Sequence, residues 1–287
     1  MSREIKIIEC PRDAMQGIDT FIDTQKKINY INKLLQVGYD TIDFGSFVSA
    51  KAIPQLKDTE EVLRALDLSN TKTKLLAIVA NTRGAEDATK FNEIDFLGFP
   101  FSVSETFQIR NTNSTIEQSL FRIEEIQNLC LKNNKKLVVY LSMGFGNPYG
   151  DKWNADIVIS WAEKLKNLDV SIMALSDTVG VSNPENISLL FKDLIPEFPS
   201  VEFGAHLHST PQTATEKIIS VLKSGCNRID SAIHGFGGCP MATDDLTGNI
   251  ATETLLETLT KEKYNLSIDQ KVFAEAMLMA DTVFPKH

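Results

Sequence analysis

The chain has 287 residues, 43% apolar and 23% charged, a balance that can offset chain entropy by burial and excludes a disordered or fibrous protein. A formal net charge of −9, with no Lys- or Arg-rich block, argues against nucleic acid or anionic lipid as a partner. No run approaches the ~18 uninterrupted apolar residues of a membrane span, and Met1-Ser2-Arg3-Glu4-Ile5 opens a strand instead of an apolar leader, so a cytoplasmic location is expected.

Short apolar runs rich in Val, Ile and Phe predict strands over residues 5–10, 41–46, 75–81, 94–100, 137–143, 170–177, 201–208 and 228–233. Helical spacing falls between them, over 22–37, 58–66, 84–91, 115–133, 154–168, 184–195 and 211–223, then over 251–259 and 269–281. Strict alternation implies parallel strands joined by right-handed crossovers, and eight such units suit an α/β fold of the closed (β/α)8 type. An open doubly wound sheet is the rival, but neither GxGxxG nor GxxxxGK[ST] occurs. The reading is one catalytic barrel domain over 1–287, with 265–287 as a C-terminal helical extension. Phe273, Met277, Leu278 and Met279 in that extension suit either a homodimer interface or packing on the chain's own barrel.

In such a barrel the site lies at the C-terminal ends of the strands. His206 and His208 end strand seven, and residues two apart on a strand face the same side, so both imidazoles can reach one cation. Oxygen donors are at hand in Asp13, after strand one, and in Asn249, within Thr247-Gly248-Asn249. This mixed N/O set leaves room for substrate oxygens and suits Mg or Mn better than a closed structural zinc site; Zn and Fe remain compatible. Two core histidines bonded to backbone are the bland alternative, yet two facing imidazoles repel when charged and a shared cation relieves that. Further strand-end candidates are Arg12, Asp43, Ser46, Asn81, Asp177 and Thr178. Cys10, Cys130, Cys226 and Cys239 show no CxxC spacing and are expected to be reduced; Cys239 stands apart because it lies in the glycine-rich loop Gly235-Phe236-Gly237-Gly238-Cys239-Pro240.

Taken together, Pro11-Arg12-Asp13-Ala14-Met15-Gln16, the segment 46–55, Ser176-Asp177-Thr178-Val179-Gly180-Val181, His206-Leu207-His208-Ser209-Thr210, the cysteine loop and Thr247-Gly248-Asn249-Ile250-Ala251-Thr252-Glu253 resemble the 3-hydroxy-3-methylglutaryl-CoA (HMG-CoA) lyase family nearly end to end. The resemblance implies a divalent cation held by Asp13, His206, His208 and Asn249, with Arg12, Asp13, Asp43 and Cys239 catalytic. Ser46 would then hold the substrate's carboxylate, and Gln16, Asn81, Asp177 and Thr178 are the further candidates for contact with a CoA-thioester substrate. Retro-Claisen cleavage to acetyl-CoA and acetoacetate would use Arg12 at the thioester carbonyl and Cys239 as proton donor to the carbanion.

Three positions and one short segment depart from the family pattern. Asp43 replaces the usual Glu, Ser209 the Asp that follows the second histidine, Asn147 a cysteine, and Gly17-Ile18-Asp19 an Asn-Glu-Lys segment near CoA. These motivate an alternative, a metal-dependent aldolase or Claisen-type enzyme acting on a CoA-free 2-oxo or hydroxy acid. A non-catalytic metal-binding relative is the third reading, and retention of Arg12 and Cys239 speaks against it.

Overall fold

The computed structural model describes residues 4–238 and 247–284. β1 (Lys6–Glu9) runs into a short helix, α1 (Pro11–Gln16), which starts on proline, a residue whose fixed φ and missing N–H suit a first helical position. α2 (Thr24–Leu34) is capped by the Asp23 carboxylate, which accepts from the N–H groups of Gln25 and Lys26. β2 (Thr41–Ser46), α3 (Thr59–Arg64), β3 (Lys74–Ile78) and α4 (Thr82–Thr89) follow. β4 (Phe96–Ser102) leads to two helices, α5 (Glu105–Thr112) and α6 (Ile116–Lys132), the second opening on a reciprocal Thr115–Gln118 cap.

The alternation continues through β5 (Lys136–Ser142), α7 (Ala155–Lys166), β6 (Ile172–Asp177), α8 (Pro184–Glu197), β7 (Glu202–Ser209), α9 (Ala214–Lys223) and β8 (Arg228–Ser231). A two-residue strand β9 (Gly248–Asn249), α10 (Thr252–Lys261) and α11 (Gln270–Val283) complete the described chain.

β1 to β6 pair in sequence order, β1 also pairs with β8, and β7 joins both β8 and β6, so eight parallel strands close into a (β/α)8 barrel. The β6–β7 pairing, in register from Ile172↔Glu202 to Asp177↔Leu207, excludes the open sheet. Side chains alternate along each strand. Leu76, Ile78, Phe96, Val138, Tyr140, Ile172 and Ala174 fill the lumen, while a larger apolar layer lies between strands and helices. Gly98 is required by that filling, because a Cβ there would meet Ile78 Cδ1 at 2.5 Å.

Two helices were not expected, α1 and α5. They have six and eight residues. Strand three ends at Ile78 instead of Asn81, which caps α4 by accepting from the Gly84 N–H at 2.9 Å. β2 shifts register against β3 between Asp43 and Gly45, a local bulge at Phe44.

α11 lies along α2, joined by Lys33–Glu275 at 2.9 Å and by the Asp269 N–H donating to the Val37 carbonyl at 2.8 Å. Phe273 is buried and Met277 and Met279 pack on the core, so of the four apolar residues in the extension Leu278, 70% exposed, is the one left to solvent. Among the described residues, no helix is long and apolar enough to cross a membrane.

Candidate metal centre at the barrel mouth

β7 delivers both imidazoles. His206 Nδ1 meets Asp230 Oδ2 at 3.1 Å, and His208 Nδ1 meets the Thr178 carbonyl at 3.0 Å. Acceptors on both Nδ1 atoms favour the Nδ1–H tautomer and turn each Nε2 lone pair toward the mouth. His208 Nε2 is buried without a hydrogen-bond partner, an orphaned acceptor of the kind a cation satisfies. Ligand atoms of Asp13, His206 and His208 all lie within 4.8 Å of one another. The residues therefore fit a divalent ion.

α1 delivers the acidic side. Asp13 Oδ1 accepts from Arg12 Nη1 at 3.0 Å and from Gln16 Nε2 at 3.2 Å, and Oδ2 accepts from Asn249 Nδ2 at 2.7 Å. Burial alone would raise the Asp13 carboxyl; Arg12, His206, His208 and the Asn249 bond outweigh it and hold the group at about 2. Asn249 arrives by a route that was not foreseen. β9 pairs antiparallel with β7, His208 opposite Asn249, so the fourth donor rides on the histidine strand itself. Gly248 is needed there, since a Cβ would meet the Gly235 carbonyl oxygen at 2.4 Å.

Arg12 binds Asp43 Oδ2 through Nε at 2.9 Å and Nη2 at 2.5 Å, with Nη1 donating to Gln16 Oε1 at 2.8 Å. Burial opposes the guanidinium charge, but Asp43 and Asp13 more than offset that, and Arg12 stays protonated. Burial also pushes Asp43 up to about 6 even against Arg12. Burial and the neighbouring cations thus move these two carboxylates in opposite directions.

A cavity of about 470 Å³ opens over these groups, lined by Arg12, Asp13, Gln16, Thr178, His206, His208 and Gly238, by the apolar side chains of Val48, Ile53, Ile78, Phe107 and Tyr140, and by Arg110 of α5. Asp43 is not in this lining. It sits fully buried behind Arg12. Ser46 and Asn81 line an adjoining cavity of about 590 Å³, away from the donors. The Ser46 hydroxyl is engaged with the Ile78 carbonyl at 3.3 Å and the Val48 N–H at 3.1 Å. The Asp177 carboxylate is buried against Lys217 at 3.0 Å and accepts from the N–H groups of Val181 and Ser182. Cys239 lies outside the described residues. The sequence reading missed Asp230, Tyr140 and Lys217; a charged residue inside an apolar strand run, as in Arg228-Ile229-Asp230, was the available signal.

A closed (β/α)8 barrel with Asp, two His and Asn converging at its C-terminal mouth defines a class of metal-dependent barrel proteins. Within that class the chain belongs to the HMGL-like family, whose model matches residues 4–279. It is 33% identical over 270 residues to hydroxymethylglutaryl-CoA lyase YngG of Bacillus subtilis, covering 94% of this chain and 88% of that one. It superposes on the HMG-CoA lyase of Brucella melitensis with a TM-score of 0.91 at 28% identity, covering 98% and 99% of the two chains. An HMG-CoA lyase of Acinetobacter baumannii, solved with coenzyme A and 3-methylmalate, gives a TM-score of 0.89 at 28% identity, covering 98% and 91%.

Proposed function

We propose that this protein is a divalent-metal-dependent carbon–carbon lyase that cleaves HMG-CoA to acetyl-CoA and acetoacetate. The observation that carries the proposal is the convergence of the Asp13 carboxylate and two imidazole nitrogens within 4.8 Å at the floor of a cavity that also exposes Arg12. Asp13, His206, His208 and Asn249 would hold the cation, which when bound supplies Lewis-acid stabilisation to oxygen atoms of the substrate. Mg or Mn suits this oxygen-rich set.

Arg12 is the buried positive charge that faces the thioester oxygen as the departing fragment takes up the electron pair of the broken bond. Asp43 and Gln16 fix its plane. The walls of Val48, Ile53, Ile78 and Phe107 exclude water from the carbanion, and Thr178 lies beside the imidazoles, where it can meet a polar substrate group. Cys239, beyond Gly238 of the lining, is the proton donor in this reading. Arg110 gives the rim a second cation for CoA phosphate. The resemblance to a lyase solved with coenzyme A supports a CoA thioester over a CoA-free acid. Cys10, Cys130 and Cys226 are free and buried, in keeping with a reducing, cytoplasmic location.

The test is direct. Chelator-treated protein should release no acetoacetate from HMG-CoA and should regain activity on addition of Mg²⁺ or Mn²⁺. Normal Mn²⁺ uptake with no thioester cleavage would sink the lyase reading, and cleavage of a free 2-oxo acid instead would establish the aldolase.

A further inference from the structure

The side-chain amide of Asn249 is nearly symmetric in shape but not in charge. Its Nδ2 donates to two oxygens that cannot donate in return, Asp13 Oδ2 at 2.7 Å and the Phe236 carbonyl at 2.9 Å. Both N–H groups are thus spent, and Oδ1 is the atom left for a cation. Flipping the amide would press Oδ1 against two acceptors. Asp13 belongs to the same proposed donor set, so the Phe236 carbonyl is the independent key that sets this orientation.

That carbonyl stands in backbone with little intrinsic rigidity. His234, Gly235 and Gly237 have φ of 60°, 68° and 88°, and at glycine a peptide plane can turn at low steric cost. The Phe236 side chain opposes such turning. Its ring stacks on Phe284, just past α11, with centroids 4.6 Å apart and planes 28° from parallel, and His234 lies edge-on to it at 5.5 Å. Phe284 in turn meets Tyr30 of α2 edge-on at 5.7 Å, and Tyr30 is 1% exposed. His234 sits between Glu253 and Asp281, 3.4 Å from an oxygen of each. The seat on the ligand is tight, because a Cβ at Gly237 would lie 2.7 Å from Asn249 Nδ2.

Resting on the metal reading above, we propose that the C-terminal helix sets the cation affinity of the site, with Phe284 and Phe236 as positioning residues that hold the Asn249 amide through the Phe236 carbonyl. The probe is Mn²⁺, titrated calorimetrically into chelator-treated full-length protein with fold checked by circular dichroism. Phe284→Ala should weaken Mn²⁺ binding roughly tenfold, the scale expected for loss of a partner that orients a ligand. Phe284→Tyr should restore it, and Phe236→Leu provides a second variant should Phe284→Ala fail to fold.

The control is Asn249→Ala, in which Phe284→Ala should cause no further loss. Wild-type affinity in folded Phe284→Ala, or an equal loss with Asn249 already removed, overturns the inference while leaving the metal site standing. Failure of the unaltered protein to take up Mn²⁺ overturns the metal reading, and this inference with it.

Discussion

Two buried side chains brace the two halves of the mouth, and they differ in how they carry charge. On the histidine half, Lys217 Nζ donates to Asp177 Oδ2 at 3.0 Å, the His208 carbonyl at 2.8 Å and the Gly180 carbonyl at 3.2 Å. All three ammonium donors are used and the charge is paired. The half that carries Arg12, Asp13 and Asn249 is pinned by Glu9, at the end of β1. Its carboxyl accepts from Thr252 Oγ1 at 2.6 Å and from the Ile233 N–H at 2.9 Å, tying β1 to the segments on either side of the glycine loop.

The partners of Glu9 are neutral, and burial pushes it up to about 8 despite those bonds. Lys217 acts as half of an ion pair, whereas Glu9 acts over most of the neutral range as an uncharged acid. A buried polar brace can therefore be satisfied either by an opposite charge or by keeping its proton, and only the second makes the brace sensitive to pH.

Breaking the ionic brace should have the largest effect. Lys217→Met leaves the Asp177 carboxylate buried and unpaired, at a cost of about 3–5 kcal/mol in thermal or denaturant unfolding. Adding Asp177→Asn should recover part of the loss, and a Lys217→Met protein as stable as wild type would remove the distinction between the braces.

The protonated brace should be the one that responds to pH. A carboxyl raised from 4.5 to about 8 on folding contributes stability that is complete below about 4.5 and is lost as pH rises through 8. Stability should thus fall across this window by at most about 1.4 kcal/mol per pH unit, and Glu9→Gln should flatten the profile. An unchanged slope in Glu9→Gln would assign the pH response elsewhere. The smallest effect should come from Thr252→Val, which removes one bond to Glu9 and one to Ser231; about 1 kcal/mol at pH 6, read from urea unfolding, is expected.

Regular structure brings three of the expected site residues together at the mouth. His206 and His208 face one way because a strand alternates with period two, and Asp13 reaches the mouth because it directly follows a barrel strand. Other polar residues expected at the strand ends make contacts within the fold. Asn81 caps a helix, Ser46 bridges β2 to β3, and Asp177 neutralises Lys217; nothing in their local spacing separates such duties from substrate contact. Asp43 belongs with them, bonded to Arg12 through two of its guanidinium nitrogens.

By itself, the sequence determined the alternation of strands and helices, the eightfold count and the identity of the imidazole pair, because apolar period and residue type are local properties. The tertiary structure decided which way the Asn249 amide points, which carboxylate keeps its proton and which histidine nitrogen is free. Each of these depends on burial and on partners up to 243 positions distant in the chain, and only closure of the barrel brings them within hydrogen-bonding reach.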